Sequence, residues 1–268
     1  MYLAAWLAMR RLLQEDVILH ENVGKFDQQI LVQALGSHYN LKRVMMSAAE
    51  LGGAGARERA ITICWHKSKI CDTLLAWDLV AQLFNRPSTL TYQNLCVATA
   101  KELQDDFEWL ARRKCSPLKE VEQLPDATHP TSFESALSPV EQDWLAAYRQ
   151  KWPGRVYQLN QDPVKHAQKS KANGILQTII RNSYILFMDE QRRCLTPREM
   201  LINQGFPLRS SLRDIATGGS QSCSFDKDRV RLRPEVVHQV GNTMHVNMIG
   251  AGIMWALAFA RRADHCLP

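Results

Sequence analysis

Residues 17–27 read VILHENVGKFD. The stretch begins with strand-forming apolar residues and changes abruptly to ionisable ones. Val17, Ile18 and Leu19 favour a buried β-strand, predicted here over residues 17–20. The carboxylate of Glu21 follows at once, and Asn22 follows it. Because a buried carboxylate costs free energy unless it is paired or hydrogen-bonded, its place at the end of a buried strand calls for a structural or functional reason.

The neighbouring segments predict the fold around this strand. Residues 1–15 form an amphipathic helix by their apolar spacing, and Phe26, Ile30, Leu31 and Leu35 predict a second helix. Strands are predicted within SHYNLKRVMM (37–46) and AITICW (60–65). Alternating helices and strands indicate an α/β fold with a parallel or mostly parallel sheet. Glu21 is then expected at the carboxyl end of a parallel strand, where open α/β sheets place their sites.

Composition narrows the class of protein. The chain has 268 residues and a formal net charge of +6, which favours a polyanionic partner without proving one. Its seven cysteines are odd in number and form no CxxC, which predicts reduced thiols in an intracellular protein. Cys64, His66 and Cys71 match no standard zinc spacing, so no metal site is expected. The apolar N-terminal stretch is too short to span a bilayer, so no membrane partner is expected.

The middle of the chain differs in character. Residues 72–151 are predicted to be largely helical, and Ser138 with Glu141 predicts a capping box that opens one helix. Residues 152–193 are basic, with two short strands predicted around residues 181–183. A basic, β-rich segment suits a surface that meets phosphates, and a solvated basic face fits the composition equally well. The candidate DNA-binding residues in this segment are Lys165, Lys169, Lys171 and Arg181.

Strong local signals return near the end of the chain. In RRCLTPREMLINQGFP, Thr196 is the predicted N-cap, and the helix that follows is predicted to stop at Gly205. In QVGNTM, a tight turn is predicted at Gly241 and Asn242, before a final helix. That helix is predicted to carry the following residues on one face: Val246, Ile249, Ile253, Met254 and Leu257.

Each motif is weak alone, but their order and spacing are more specific. The motifs follow one another in this order: ENV after the first strand, Arg57-Glu58-Arg59 leading into another strand, a variable insert, LTPRE…QGFP and QVGN. Together they resemble the C-terminal part of a DNA (cytosine-5) methyltransferase. The resemblance covers roughly residues 1–70 and 175–260. It implies a partial methyltransferase (Rossmann-like) sheet, with residues 1–71 and 191–268 in the catalytic domain and residues 72–190 as the target-recognition region.

The resemblance also implies chemistry. Such enzymes turn a cytosine out of double-stranded DNA, add a Cys thiolate to C6, and transfer a methyl group from S-adenosylmethionine to C5. By this resemblance, a protonated Glu21 holds ring N3, and Arg57 and Arg59 clamp the base carbonyl and nearby backbone. Alternate strand positions point the two arginines the same way. Further roles are implied for Asn22 (holding the loop), for Asn242, Thr243 and Met244 (cofactor pocket), for Gly241 (close backbone approach) and for Thr196, Arg198, Glu199 and Gly205 (structural bracing).

The sequence departs from the family pattern in three places. No Phe-x-Gly-x-Gly turn and no Pro-Cys nucleophile segment precede Glu21, and Gly52-Gly53-Ala54-Gly55 replaces the usual Gly-Val-Pro-Gln, which predicts a floppy loop. Three hypotheses stay open. The chain is a fragment or subunit that needs an N-terminal half, or a DNA-binding relic without turnover, or an unrelated basic α/β protein. Its expected location is the nucleus in a eukaryote and the cytoplasm otherwise.

Overall fold

A computed structural model describes residues 2–72, 82–86, 88–114, 132–166, 174–206 and 229–263. The elements follow one another in this order: α1 (Tyr2–Leu13), β1 (Val17–Asn22), α2 (Gln29–Leu35), β2 (Tyr39–Ser47), β3 (Glu58–His66), β4 (Ile70–Asp72), a 3-10 helix (Tyr92–Leu95), α3 (Ala100–Lys114), α4 (Ser132–Ser135), α5 (Pro139–Lys151), β5 (Val156–Gln158), β6 (Leu186–Met188), β7 (Arg193–Cys194), α6 (Pro197–Asn203), α7 (Arg229–Asn242), α8 (Val246–Phe259) and β8 (Ala260–Arg262).

The chain divides into two compact units. The first comprises Met1–Gly52, Arg57–Pro87 and Met244–Pro268, and the second comprises Gly53–Ala56 and Ser88–Thr243. Helices and small sheets occur in both, which confirms the predicted α/β class. Within the described residues, no helix combines the length and the apolar character needed to cross a membrane.

The main sheet of the first unit has the strand order β1-β3-β2, and both neighbouring pairs are antiparallel. The predicted parallel or mostly parallel sheet is therefore wrong for adjacent strands. The strands are antiparallel because the chain reverses direction after β2, so that β3 runs back and lies between the other two strands. β1 and β2 point the same way, as the helix between them suggested, but they are not neighbours.

Helices cover both faces of this sheet. One face, with Ile61, Ile63 and Trp65, packs against α8, where the rings of Trp65 and Trp255 meet edge to face at 5.6 Å. The opposite face, with Ile18 and Cys64, packs against α1 and α2. A small antiparallel pair, β4 with β8, completes the unit.

The final helix, α8, buries a different face from the one predicted from its sequence. The buried positions of α8 include Met248, Ala251, Trp255 and Ala256. The predicted stripe is instead largely exposed, because α8 is apolar on nearly all sides and its spacing therefore carries little information about direction. Gly252 allows α8 to pack closely on the sheet, since a Cβ there would lie 3.0 Å from Cδ1 of Leu19 and 3.4 Å from Cγ2 of Ile61.

The second unit contains a three-stranded antiparallel sheet of order β5-β6-β7 and most of the helices that the structure describes. The capping box of Ser138 and Glu141 at the start of α5 is confirmed. Of the two strands predicted around residues 181–183, only the second forms, as β6. The first is reduced to one isolated bridge between Gly55 and Leu176.

The Gly-rich loop is held in place, so the expectation of a floppy segment is wrong. Ala56 N donates to Leu176 O at 2.7 Å, and Leu176 N donates to Ala54 O at 2.8 Å. Gly55 packs closely on Asn203, whose Nδ2 would lie 2.8 Å from an added Cβ. Backbone hydrogen bonds offset the entropy that ordering glycines costs.

Among the four cysteines that the structure describes, one departs from the predicted reduced state. Cys71 is disulfide-bonded, whereas Cys64, Cys96 and Cys194 are free thiols. An odd cysteine count favours reduced thiols only as a rule of composition. It says nothing about which side chains meet in the folded chain.

Candidate functional site: a charged cluster at the end of the first strand

Glu21 lies near the end of β1, opposite Ile61 of β3. Side chains directly opposite each other in an antiparallel pair share a face of the sheet. Glu21 therefore lies on the face that α8 covers, in line with Leu19, whose side chain packs into that core. The strand therefore places a carboxylate at the edge of an apolar layer, where the charge requires an oppositely charged or hydrogen-bonding partner.

Arg59 supplies that partner. It lies two residues before Ile61 on the same face of β3, and its Nε is 3.1 Å from Oε1 of Glu21. The two side chains are only 15% and 14% exposed. Oε1 nevertheless has no well-aligned hydrogen-bond donor among the described residues. The contact is thus a close charge pair that leaves a buried carboxylate oxygen able to bond a ligand.

Arg57 adds a second guanidinium to the cluster. It directly precedes β3, is 4% exposed, and its carbonyl accepts a hydrogen bond of 2.9 Å from Ala48 N. Burial and, to a smaller extent, the positive charge of Arg59 lower the pKa of Arg57 to about 10, although the negative charge of Glu21 opposes both effects. Two cations and one anion share a small, poorly hydrated space, which suits a polar ligand with carbonyl or phosphate oxygens.

The loop after β1 is held by residues on both of its sides. Oδ1 of Asn22 accepts a hydrogen bond of 2.8 Å from Val23 N, in keeping with a loop-holding role. Arg43 of β2 donates from Nη1 to Phe26 O at 3.0 Å, and from Nη2 to Gly24 O. Sequence reasoning missed Arg43, because nothing local shows that β2 lies near this loop.

The free thiols that the structure describes are not activated nucleophiles. Burial raises the pKa of Cys64 to about 12 and that of Cys194 to about 12, and it also raises the pKa of Cys96. A reactive cysteine needs the opposite, a lowered pKa in an electropositive and accessible setting.

In the second unit, the LTPRE segment forms a buried polar centre. Thr196 caps α6 as predicted, and the carboxylate of Glu199, which is fully buried, accepts hydrogen bonds from both terminal nitrogens of Arg193 at 2.8 and 2.9 Å. Arg198 forms an ion pair with Glu102 at 3.2 Å. Gly205 follows the helix with φ +85°, the left-handed conformation that favours glycine. All of these contacts lie within the second unit.

The QVGN segment differs from its prediction. Gly241 and Asn242 form the last turn of α7 instead of a separate tight turn. The close approach at Gly241 is made by the protein's own backbone, since a Cβ there would lie 2.1 Å from Arg181 N. Asn242 is exposed, with Nδ2 3.5 Å from Nδ1 of His238, and Thr243 Oγ1 donates to Gln239 O at 2.7 Å.

The remaining predicted ligand-binding residues are exposed or undescribed. Met244, which belongs to the first unit, is 46% exposed. Lys165 is exposed, with its Nζ 3.7 Å from Asp162, and Arg181 is exposed in the turn that packs on Gly241. Lys169 and Lys171 lie outside the described residues. No cluster of three or more His, Cys, Asp or Glu side chains able to hold a metal occurs in the described ranges.

Comparison with known proteins supports the fold. Neither a protein-family model nor a curated protein sequence matches the chain. Among solved structures, a protein described as a putative DNA modification methyltransferase encoded within an E. coli prophage matches with a TM-score of 0.50 and 13% identity, over 94% of this chain and 72% of the other. The S. pombe Dnmt2 methyltransferase matches with a TM-score of 0.48 and 15% identity, over 91% of this chain and 66% of its own length.

The first of these matches shows that the chain has the mixed α/β fold of a methyltransferase structure. At 13% identity, the likeness concerns the fold alone. The chain spans less than two thirds of the length of the S. pombe enzyme.

Proposed function

We propose that this chain is the C-terminal part of a DNA (cytosine-5) methyltransferase. The observation that carries the proposal is the buried cluster of Glu21, Arg57 and Arg59 at one end of the sheet, with a carboxylate oxygen that lacks a hydrogen-bond donor among the described residues. The order of the sequence motifs and the methyltransferase fold support it.

The cluster matches the polar edge of a cytosine turned out of the duplex. That edge presents two acceptors, ring N3 and the carbonyl oxygen, and one donor, the exocyclic amino group. A protonated Glu21 donates to N3, and Arg59 and Arg57 donate to the carbonyl oxygen and to the nearby DNA backbone. These bonds strengthen as negative charge develops on the ring during attack at C6, so they stabilise the transition state.

The other roles in the proposal concern the cofactor and the DNA. S-adenosylmethionine supplies the methyl group, and Asn242, Thr243 and Met244 contribute one part of its pocket. Residues 72–190 recognise the target, with Lys165, Lys169, Lys171 and Arg181 contacting phosphates. In this proposal, an N-terminal half supplies the nucleophilic cysteine and the Gly-rich cofactor turn. Such a protein works where DNA is, in the nucleus or the cytoplasm.

The test compares binding to two duplexes, one with an unpaired cytosine and one with an unpaired adenine, because an unpaired base is the easiest to extrude. Fluorescence anisotropy should show a preference for cytosine. Glu21→Ala and Arg59→Ala should each reduce this preference by roughly 10- to 100-fold, the loss of one charge-assisted hydrogen bond. Glu108→Gln, at an exposed pair with Arg112, is the matched control.

Glu21→Gln separates base recognition from a structural role. The amide breaks the ion pair with Arg59 but still donates to N3, so the preference for cytosine should survive. Equal affinity of the wild-type chain for the two duplexes refutes the proposal. So does a loss of preference in Glu21→Gln as large as the loss in Glu21→Ala.

A second candidate is a DNA-binding module without turnover, which the raised pKa values of Cys64, Cys96 and Cys194 favour. It predicts salt-dependent duplex binding, because lysine and arginine contacts to phosphates release counterions. Tritiated methyl transfer to duplex DNA, once an N-terminal half with a Pro-Cys segment is added, decides between the two.

A further inference from the structure

Arg43 of β2 lies on the face of the main sheet opposite to Glu21. The strand pairings place His20, Thr62 and Arg43 in one row across the sheet, on the face that α1 and α2 cover. Glu21 is the next residue of β1, and successive side chains of a strand point to opposite faces. An effect of Arg43 on the buried charged cluster must therefore pass through the backbone.

The side chain of Arg43 reaches the loop that follows Glu21. Its Nη1 donates to Phe26 O at 3.0 Å, and its Nη2 donates to Gly24 O. Two nitrogens of one planar guanidinium thus bind two main-chain carbonyls that are two residues apart. The single ammonium group of a lysine cannot reproduce this fork.

Two further contacts fold the loop back onto the same face of the sheet. The ring of Phe26 lies 5.1 Å from the ring of His20. Met45, two positions after Arg43 and on its face, lies so close to Gly24 that an added Cβ would be 2.9 Å from Cε of the methionine. The loop therefore rests on β1 and β2 together, and Arg43 supplies its charged anchor.

Glu21 depends on this loop because it lies near the end of its strand. Asn22 is the last residue of β1, and the chain then leaves the sheet. Since His66 N donates to Asp16 O at 3.0 Å, alternation along the ladder places Glu21 in a pair without backbone hydrogen bonds to β3. Strand ends fray unless they are tied down, so the position of the carboxylate beside Arg59 relies on its neighbours in the strand and on the loop.

We propose that Arg43 is a positioning residue for Glu21. By holding the carbonyls of Gly24 and Phe26, it fixes the end of β1 and hence the direction of the Glu21 carboxylate toward the extruded base. Without these hydrogen bonds the loop opens, and only the fraction of molecules with a closed loop presents the carboxylate correctly. This inference rests on the proposed function and adds a residue that governs specificity from the other face of the sheet.

Binding of the full chain to the two duplexes, one with an unpaired cytosine and one with an unpaired adenine, tests this role by fluorescence anisotropy. Arg43→Met keeps an apolar stem but removes both hydrogen bonds, and it should lower the preference for cytosine by roughly 3- to 10-fold. Arg43→Lys bonds one carbonyl at a time and should give a preference between those of the wild type and Arg43→Met. Arg86→Met, which removes a positive charge from an exposed residue of the first unit, is the matched control.

A double-mutant cycle separates positioning from a general effect on the fold. In the Glu21→Ala background, Arg43→Met should cause no further loss of preference, because the carboxylate that the loop positions is gone. Without DNA, the amide of Phe26, which donates to Val23 O at 2.9 Å, should exchange about tenfold faster in Arg43→Met than in the wild type. Urea unfolding checks that the variants fold, and Arg43→Lys, which keeps the charge, carries the test if Arg43→Met does not.

Several results would overturn the inference. Unchanged exchange at Phe26 would show that the loop does not need Arg43, and a loss that adds fully to that of Glu21→Ala would show an independent role. An equal loss of affinity for both duplexes, larger than in Arg86→Met, would indicate direct contact with phosphates. A preference that depends on Glu21 but not on Arg43 refutes this inference alone, whereas a wild-type chain without any preference refutes the proposed function and this inference with it.

Discussion

Replacing Glu199 with Gln should destabilise the second unit more than any other single polar change at its motifs. The carboxylate accepts five hydrogen bonds: from Val97 N (3.0 Å), Ala98 N (3.1 Å), Thr196 N (2.9 Å) and the two terminal nitrogens of Arg193 (2.8 and 2.9 Å). Each oxygen takes at least two of them. In Gln, the amide nitrogen is itself a hydrogen-bond donor and would lie against the donor groups that now bond the carboxylate. The mostly buried Arg193 would also lose its counter-charge.

The expected cost follows from that geometry. Removing one partner of a buried ion pair costs about 3–5 kcal/mol, because the remaining charge stays buried and uncompensated. With a urea slope of roughly 2–3 kcal/mol per molar, the unfolding midpoint should fall by about 1–2 M. Circular dichroism during urea titration measures this shift.

Two further variants make the measurement decisive. Glu108→Gln breaks an exposed pair on α3 and should cost about 0.3–0.5 kcal/mol. The double variant Glu199→Gln/Arg193→Gln removes both charges and should recover part of the loss, a coupling that a double-mutant cycle quantifies. A cost below about 1 kcal/mol for Glu199→Gln alone would refute the reasoning that this carboxylate organises the segment.

The remaining predictions concern packing and pH. Gly241→Ala should destabilise the protein by about 1–3 kcal/mol, because the new methyl meets the backbone of Arg181, whereas Gly250→Ala faces open space and should stabilise α8 by about 0.5–1 kcal/mol; thermal unfolding compares the two. Burial lowers the pKa of His20, so the unfolded chain binds its proton at a higher pH, and folding stability should fall as the pH drops from about 7 toward 5. His20→Phe should lessen this acid-induced loss in urea titrations at several pH values. It should not abolish the loss, because the pKa of His66 is lowered too, and an unchanged pH dependence would contradict the assignment.

Much of the local structure could be predicted from the sequence. The strand at residues 17–20, the N-cap at Thr196, the capping box at Ser138 and the helix stop at Gly205 all appear in the structure. These signals depend on residues three or four positions apart, or on one residue's own backbone preference. Periodicity and capping chemistry act over that range.

The candidate site could be predicted only in part. Alternation along β3 placed Arg57 and Arg59 on one face. That Glu21 faces the same space depends on β1 pairing with β3, a long-range contact that no local pattern specifies. Arg43 was missed for the same reason, since its hydrogen bonds span nineteen and seventeen positions of the chain.

The sequence by itself determined where several helices and strands begin, which residues carry charge at their ends, and in what order the motifs follow. Only the tertiary structure decided that adjacent strands run antiparallel and that α8 buries Trp255 while Leu257 stays exposed. It also decided that the absent side chain of Gly241 leaves room for the backbone of Arg181. The physical reason is that backbone propensity and capping are satisfied within one turn or strand. The choice of neighbour and of buried face is made by packing and hydrogen bonding between segments far apart in the chain.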